Sequence, residues 1–244
     1  MKLAVKQRID QLLVDRGLAA SREKAQALVL AGEVMVDGQK ADKPGRAVSS
    51  EVKVEVTGRL KYASRGGLKL EAALETFGID VRGRVCIDIG ASTGGFTDCL
   101  LQRGAARVYA IDTGAGQIDW KLRTDPRVTL HENCNARHLK ASDIGELADL
   151  IVCDVSFISV TLFVDRFPSL LKPAGEFVIL VKPQFEAGRG QVGKGGIVRD
   201  PAVREAACER VRAAVAALGY HTAIIPSPVL GAEGNQEFLL HASH

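Results

Sequence analysis

Val85-Cys86-Ile87-Asp88-Ile89-Gly90-Ala91-Ser92-Thr93-Gly94-Gly95-Phe96-Thr97-Asp98 is the stretch that decides the fold. Its first five residues are a short, nearly continuous apolar run, the pattern of a parallel strand buried on both faces. The glycines that follow let backbone approach a ligand closely where a helix begins. Similar strand-like runs recur at 107–112, 128–132, 150–155, 176–182, 222–226 and 237–241, with helical stretches between them. The clearest helix has Asp200 as cap, Pro201 in first position, an apolar face through Val203, Ala207, Val211 and Val215, and Gly219 as stop. The alternation predicts an α/β fold with a doubly wound sheet of about seven strands. Such sheets hold ligands beyond the carboxyl ends of their strands, so the residues just after each strand are the ones to inspect.

The glycine spacing discriminates among cofactors. A dinucleotide fingerprint needs glycine where Ser92 stands, and a P-loop needs lysine where Phe96 stands. Asp88 is a poor neighbour for a pyrophosphate and a good one for a cation. S-adenosylmethionine is such a ligand, with an ammonium and a sulfonium, and the segment resembles the first motif of the class I, Rossmann-like methyltransferases. That resemblance implies that Asp88, Gly90, Ala91, Ser92, Gly94, Gly95 and Phe96 contact the cofactor. Asp112 ends the next strand at the spacing where such folds hold a ribose. Asn135, after the third strand, is a candidate for the adenine, and Asp154, after the fourth, adjoins the same crevice.

Polar groups also stand at three further strand ends: Asp154, Lys182 and, entering the last strand, Glu237. Charges there are costly to desolvate unless paired, so a structural ion pair is one reading and a functional crevice the other. With Lys69, in the first turn of a helix running from Leu68 to Phe77, they give Lys69, Asp154, Lys182 and Glu237. Their order and context resemble the Lys-Asp-Lys-Glu tetrad of FtsJ-like ribose 2′-O-methyltransferases. The residue types suit that chemistry. A ribose hydroxyl is a very weak acid, so its proton must be removed, or its developing alkoxide stabilised, during in-line attack. Lys182 serves as base if a neighbouring cation and partial burial leave it a neutral amine; Asp154 would orient it, Lys69 would stabilise the oxyanion, and Glu237 would hold one lysine. Residue order leaves open which lysine is the base.

Charge separates the chain into parts. Residues 1–70 hold 14 Lys/Arg against 8 Asp/Glu, net +6, whereas 71–244 hold 18 against 21, net −3. In the basic part, 7–17 read as a helix burying Ile9, Leu12 and Leu13, and Ser21 caps a second helix that ends at Gly32. Residues 33–39, turning at Asp37-Gly38, and 51–56 alternate as strands. The pattern Arg8-x-Asp10, Ser21-Arg22-x-x-Ala25-x-x-Leu28, Gly32-x-Val34-x-Val36-Asp37-Gly38 and Lys43-Pro44 resembles the S4-like RNA-binding domain, a small α+β fold. By that resemblance Arg8, Ser21, Arg22 and Lys24 are candidate RNA contacts. Arg65, and Arg189 and Lys194 in the glycine-rich 188–196 loop, are further candidates for RNA contact. The expected division is an S4-like domain at 1–58, a linker at 59–63 and an FtsJ-like domain at 64–244.

With Ser64-Arg65-Gly66-Gly67-Leu68-Lys69-Leu70, Asp154-Val155-Ser156-Phe157-Ile158-Ser159, Val181-Lys182-Pro183-Gln184-Phe185-Glu186 and Gly193-Lys194-Gly195-Gly196-Ile197-Val198-Arg199-Asp200, the whole chain resembles the TlyA family. The resemblance implies ribosomal-RNA cytidine 2′-O-methylation with S-adenosylmethionine, on small- or large-subunit RNA, and carries a historical hemolysin label. An RNA-binding protein with an inactive sheet domain is the alternative, and a membrane-lysing protein the weaker one. Composition opposes the latter: 46% hydrophobic and 25% charged residues are ordinary for a globular protein, and no apolar run reaches the ~18 residues of a membrane span. Without an apolar leader at residues 1–8, a cytoplasmic protein is expected; a monomer is expected because the substrate itself is large. Five cysteines, an odd number without a C-x-x-C pair, point to reduced thiols and no zinc site, and no metal is called for. Trp120 and Phe157 are expected in the core, with base stacking an option for Phe157.

Overall fold

The computed structural model describes residues 6–57, 61–188, 190–193, 195–231 and 234–244. It divides into two compact units, Met1–Arg65 and Gly66–His244. Of the linker expected at 59–63, Arg59 and Leu60 lie outside the described residues; Ser64 and Arg65, expected in the larger domain, fall in the first unit.

The first unit runs β1 (Lys6–Arg8), α1 (Ile9–Asp15), α2 (Arg22–Leu30), β2 (Val34–Val36), β3 (Gln39–Lys40), β4 (Ala47–Ser49) and β5 (Val54–Val56). Ser21 caps α2 by accepting the Lys24 amide at 3.3 Å. Asp37 and Gly38 both take positive φ, the two-residue turn that lets β2 pair back on β3. Ile9, Leu12 and Leu13 of α1 meet Ala25, Leu28 and Val29 of α2 in a small core closed by Val34, Val36 and Val48. Two details depart from the sequence reading. Gln7 and Arg8 are not helical but form β1, which pairs antiparallel with β4, and 51–53 precede the last strand rather than belonging to it.

The second unit opens with α3 (Gly66–Phe77) and continues through β6 (Val85–Ile89), α4 (Gly95–Gln102), β7 (Arg107–Ile111), α5 (Trp120–Arg123), β8 (Val128–His131), α6 (Ala141–Ile144), β9 (Ala148–Cys153), α7 (Phe167–Leu170), β10 (Leu171–Val181), α8 (Pro183–Glu186), α9 (Pro201–Ala216), β11 (His221–Pro226) and β12 (Phe238–Ser243). Its seven strands form one sheet in the order β11-β12-β10-β9-β6-β7-β8. The five strands from β10 to β8 are parallel; β12 runs antiparallel to both β10 and β11. Strand order reverses between β6 and β9, which makes their carboxyl ends the place for a ligand.

Burial explains the composition. Cys86, Ile87 and Ile89 of β6 and Phe177, Val178, Ile179 and Val181 of β10 are covered on both sides of the sheet, so their strands read as apolar runs instead of alternating. Asp200 caps α9 through the Ala202 amide at 2.9 Å, and Val211 and Val215 bury its inner face. Phe167 and Tyr220 pack on Phe177 with ring centroids 5.3 and 4.8 Å away. The five cysteines form no disulfide and all but Cys134 are buried; desolvation pushes the Cys86 thiol up to about 12.

Candidate active site

The turn after β6 is shaped by what cannot be there. Gly90 has φ +86°, and a Cβ on it would lie 2.4 Å from the Asp154 carbonyl oxygen. Only glycine lets the loop pass this close to the end of β9, where the Asp154 amide also bonds the Ile89 carbonyl at 2.8 Å. Gly94, φ +92°, starts α4 with no room for a side chain against Leu122.

Beyond the ends of β6, β7 and β9 opens a cleft of about 460 Å³, within the range of small-molecule sites. Gly90, Ser92, Asp112, Asn135 and Asp154, all expected from sequence, line it. Asp112 is set by two backbone donors, Ser92 N–H to Oδ2 at 2.8 Å and Gly114 N–H to Oδ1 at 2.7 Å. Asn135 spends its Oδ1 on the Arg137 amide at 3.1 Å. The expected contacts Asp88, Ala91, Gly94, Gly95 and Phe96 are not on the cleft wall and are largely or wholly buried; they shape the loop from behind. Asp88 accepts the Thr97 hydroxyl on Oδ2 at 2.6 Å, while its Oδ1 is buried with no hydrogen-bond partner among the described residues. Desolvation pushes its carboxyl up to about 7.

The four residues expected to act together, Lys69, Asp154, Lys182 and Glu237, form two ion pairs. Lys182 Nζ lies 2.6 Å from Asp154 Oδ1 and donates to Ser156 Oγ at 2.8 Å. Lys69 Nζ donates to Glu237 Oε2 at 2.5 Å, with side chains only 11% and 2% exposed. The register shows why a residue entering a strand joins residues leaving others. Val181 faces Phe238 in the antiparallel β10–β12 pair, so Lys182 and Glu237, one residue further on each, stand at the same edge of the sheet. The Glu237 carboxylate rests on Gly231, where any Cβ would lie 2.0 Å from Oε1. Neither Lys69 nor Glu237 lines the cleft; Asp154 and Ser156 do.

Sequence reasoning missed much of the wall: Thr113, Gln117, Ser156, Ile158 and Phe163. It also missed Glu186, which is buried and ties the 156–160 segment in place by accepting Ser159 Oγ at 2.5 Å and the Val160 amide at 2.9 Å. Burial pushes this carboxyl upward. Phe157 and Trp120 are corrected outright. Neither is in the core: Phe157 is 90% exposed and Trp120 72%. Phe157 holds φ +67°, a rare strain for a bulky residue, beside Phe185 at 5.2 Å.

In the first unit, Arg8 and Arg22 converge on Asp10. Ser21 is engaged as the α2 cap and Lys24 stands in the first turn of that helix. Arg16 bonds the carbonyls of Val52 and Ser50. Arg65 ends the first unit; Arg189 and Lys194 lie outside the described residues. No set of three or more His, Cys, Asp or Glu side chains among the described residues is placed to hold a metal, and no helix among them is long and apolar enough to cross a membrane.

Residues 62–244 match the FtsJ-like methyltransferase family and residues 7–54 the S4 domain. The chain is 48% identical to YqxC of Bacillus subtilis, described as a candidate rRNA methyltransferase, covering 97% of this chain and 85% of that one. It is 46% identical to the 16S/23S rRNA (cytidine-2′-O)-methyltransferase TlyA of Mycobacterium tuberculosis, covering 98% and 90%. The solved structure of a Streptococcus thermophilus protein, described as a candidate hemolysin, superposes with TM-score 0.77 at 43% identity over 99% of this chain and 89% of that one.

Proposed function

Since this chain belongs to the FtsJ-like methyltransferases, and within them to the TlyA family, we propose that it methylates cytidine ribose 2′-hydroxyls in ribosomal RNA. The observation that carries the reading is the Lys182 amino group, held by Asp154 and Ser156, two residues that line the glycine-loop cleft. The residues present fit S-adenosylmethionine. Gly90 leaves no space for a Cβ, the cleft is apolar through Ile89, Ile111 and Phe163, and Asp112, fixed by two backbone donors, stands on its wall. Gly90, Ser92, Asp112 and Asn135 would hold it. When bound, S-adenosylmethionine supplies an electrophilic methyl group on a sulfonium sulfur.

The protein's own part is positioning and proton management. Lys182 Nζ stands beside the cleft residues Asp154 and Ser156, which fix its direction; as the neutral amine, after giving one proton to solvent, it takes the proton leaving the ribose 2′-oxygen. Lys69, pinned by Glu237, supplies a fixed cation that stabilises the developing alkoxide. The apolar walls exclude water from the attacking oxygen. In this reading the S4 unit grips RNA through Arg8, Arg22 and Lys24 while the larger unit performs the transfer, and the protein works in the cytoplasm as a monomer on ribosomal subunits.

Tritiated methyl transfer to separated ribosomal subunits, followed by mapping of the modified ribose, tests the reading. Lys182→Ala should abolish transfer while calorimetry still records S-adenosylmethionine binding. Full turnover by that variant refutes the role of Lys182. Absence of cofactor binding by the unaltered protein refutes the enzyme reading and favours an RNA-binding protein alone.

A further inference from the structure

Asp10 is an acid at the centre of a basic face, and it is completely buried. It receives five hydrogen bonds from described residues. Arg8 forks onto it, Nε to Oδ1 at 2.9 Å and Nη2 to Oδ2 at 2.8 Å. Arg22 Nε and Gln26 Nε2 reach Oδ2 at 3.1 and 2.8 Å, and the Gln11 amide reaches Oδ1 at 3.0 Å. One carboxylate thus gathers β1, α1 and α2. The two arginine side chains are 48% and 50% exposed, so their guanidiniums are anchored on one side and wet on the other. Arg8 is further flattened against Gly45, where a Cβ would lie 3.1–3.2 Å from three guanidinium atoms. Arg22 engages Asp10 only through Nε, which leaves its two terminal nitrogens for another partner.

We propose that Asp10 is a positioning residue for RNA: it holds Arg8 and Arg22 as an ordered pair of forks for adjacent backbone phosphates. This rests on the reading that the first unit binds RNA. Freely rotating arginines lose side-chain entropy on binding, and these two have already lost it. A guanidinium with its Nε fixed also presents its remaining N–H groups in the planar geometry that phosphate oxygens accept.

The test exploits sign. Asp10→Asn removes a negative charge from a cationic face, so charge alone predicts tighter RNA binding with a steeper salt dependence. Positioning predicts weaker binding. Filter binding of the full chain to isolated ribosomal RNA across a salt series is expected to show about a tenfold loss for Asp10→Asn and a shallower slope. Arg22→Lys keeps its charge but loses the fork and should lose a similar factor; the double variant should lose no more than either single one. Unchanged or tighter binding by Asp10→Asn, with Arg22→Lys neutral, overturns the proposal. Should Asp10→Asn unfold the unit, Arg22→Lys alone decides, since its exposed side chain is dispensable for the core. Arg8→Ala/Arg22→Ala separates the two levels: if it leaves affinity intact, the RNA-binding reading of this face fails, and if it weakens binding while Asp10→Asn does not, only the positioning role fails.

Discussion

Glu237→Gln is the most informative change in the larger unit. The substitution keeps shape and one acceptor oxygen but removes the anion from a lysine whose side chain is only 11% exposed. Breaking a buried pair by deleting one partner costs ~3–5 kcal/mol, because the other charge stays desolvated. The retained amide oxygen places the expected loss at the low end, about 3 kcal/mol. With a urea m-value of about 2–3 kcal/mol/M, the midpoint should fall by roughly 1–1.5 M. Lys69→Met/Glu237→Met removes both charges and should recover the midpoint to within about 1 kcal/mol of the unaltered protein, since apolar replacements of buried pairs are often neutral. Methyl transfer should not recover: the double variant lacks the Lys69 cation altogether and should lose on the order of a hundredfold or more in kcat. Urea titration by circular dichroism and single-turnover methylation read the two effects separately. A double variant that regains turnover together with stability would show that the pair is purely structural. An unmoved midpoint in Glu237→Gln would show that the carboxylate does not compensate a buried charge.

Three further outcomes follow from the same geometry. The unfolded chain releases the Asp88 proton near pH 4 and the folded one near pH 7, so the folded state holds the extra proton between them and stability falls as pH rises through that window, by at most ~4 kcal/mol. Asp88→Asn should therefore match the unaltered protein near pH 4 and exceed it above pH 7 in urea midpoints without cofactor; a constant offset at all pH values contradicts this. Gly90→Ala must adopt a left-handed φ and push back the Asp154 carbonyl, costing ~3 kcal/mol or more and weakening S-adenosylmethionine binding in calorimetry; a wild-type midpoint would refute the close approach. Phe157→Gly relieves the strained φ and loses the Phe185 contact, so stability should change by less than about 1 kcal/mol. If the exposed ring serves the substrate, methylation of ribosomal RNA should still fall at least tenfold with cofactor affinity intact; unchanged methylation would leave the strain without a purpose.

Legibility from sequence followed the physics of each element. β6, β9 and the second half of β10 were readable because burial on both faces demands apolar runs, and α9 because a capped, 16-residue helix carries both periodicity and end signals. The start of β10 was not, since Lys172-Pro173-Ala174-Gly175 looks like a turn and sits where the register with β9 shifts. The four-residue helices α5 to α8 are too short for any period to show. At the site, charged residues ending apolar strands were conspicuous, as were glycines that only close approach explains. Cleft walls such as Gln117, Ile158 and Phe163 come from irregular segments whose neighbours are set by tertiary structure alone. Phe157 and Trp120 were misjudged because hydrophobicity argues for burial and says nothing about a ring kept outside. Asp10 stood in the pattern Arg8-x-Asp10 without a role, because an acid in a helix's first turn is ordinary until its partners from β1 and α2 are seen.

The position of β12 has a consequence for how the molecule comes into being. It lies between β10 and β11 and pairs antiparallel with both, so the local β11–β12 hairpin completes the sheet by docking on the edge of β10. Lys69 and Glu237, 168 residues apart, meet only when that docking is complete. Such distant closure is slow compared with local folding, and it makes the Lys69–Glu237 pair a late contact: the glycine loop and Lys182 precede Glu237 in the chain, so the pair closes around parts that are synthesised first.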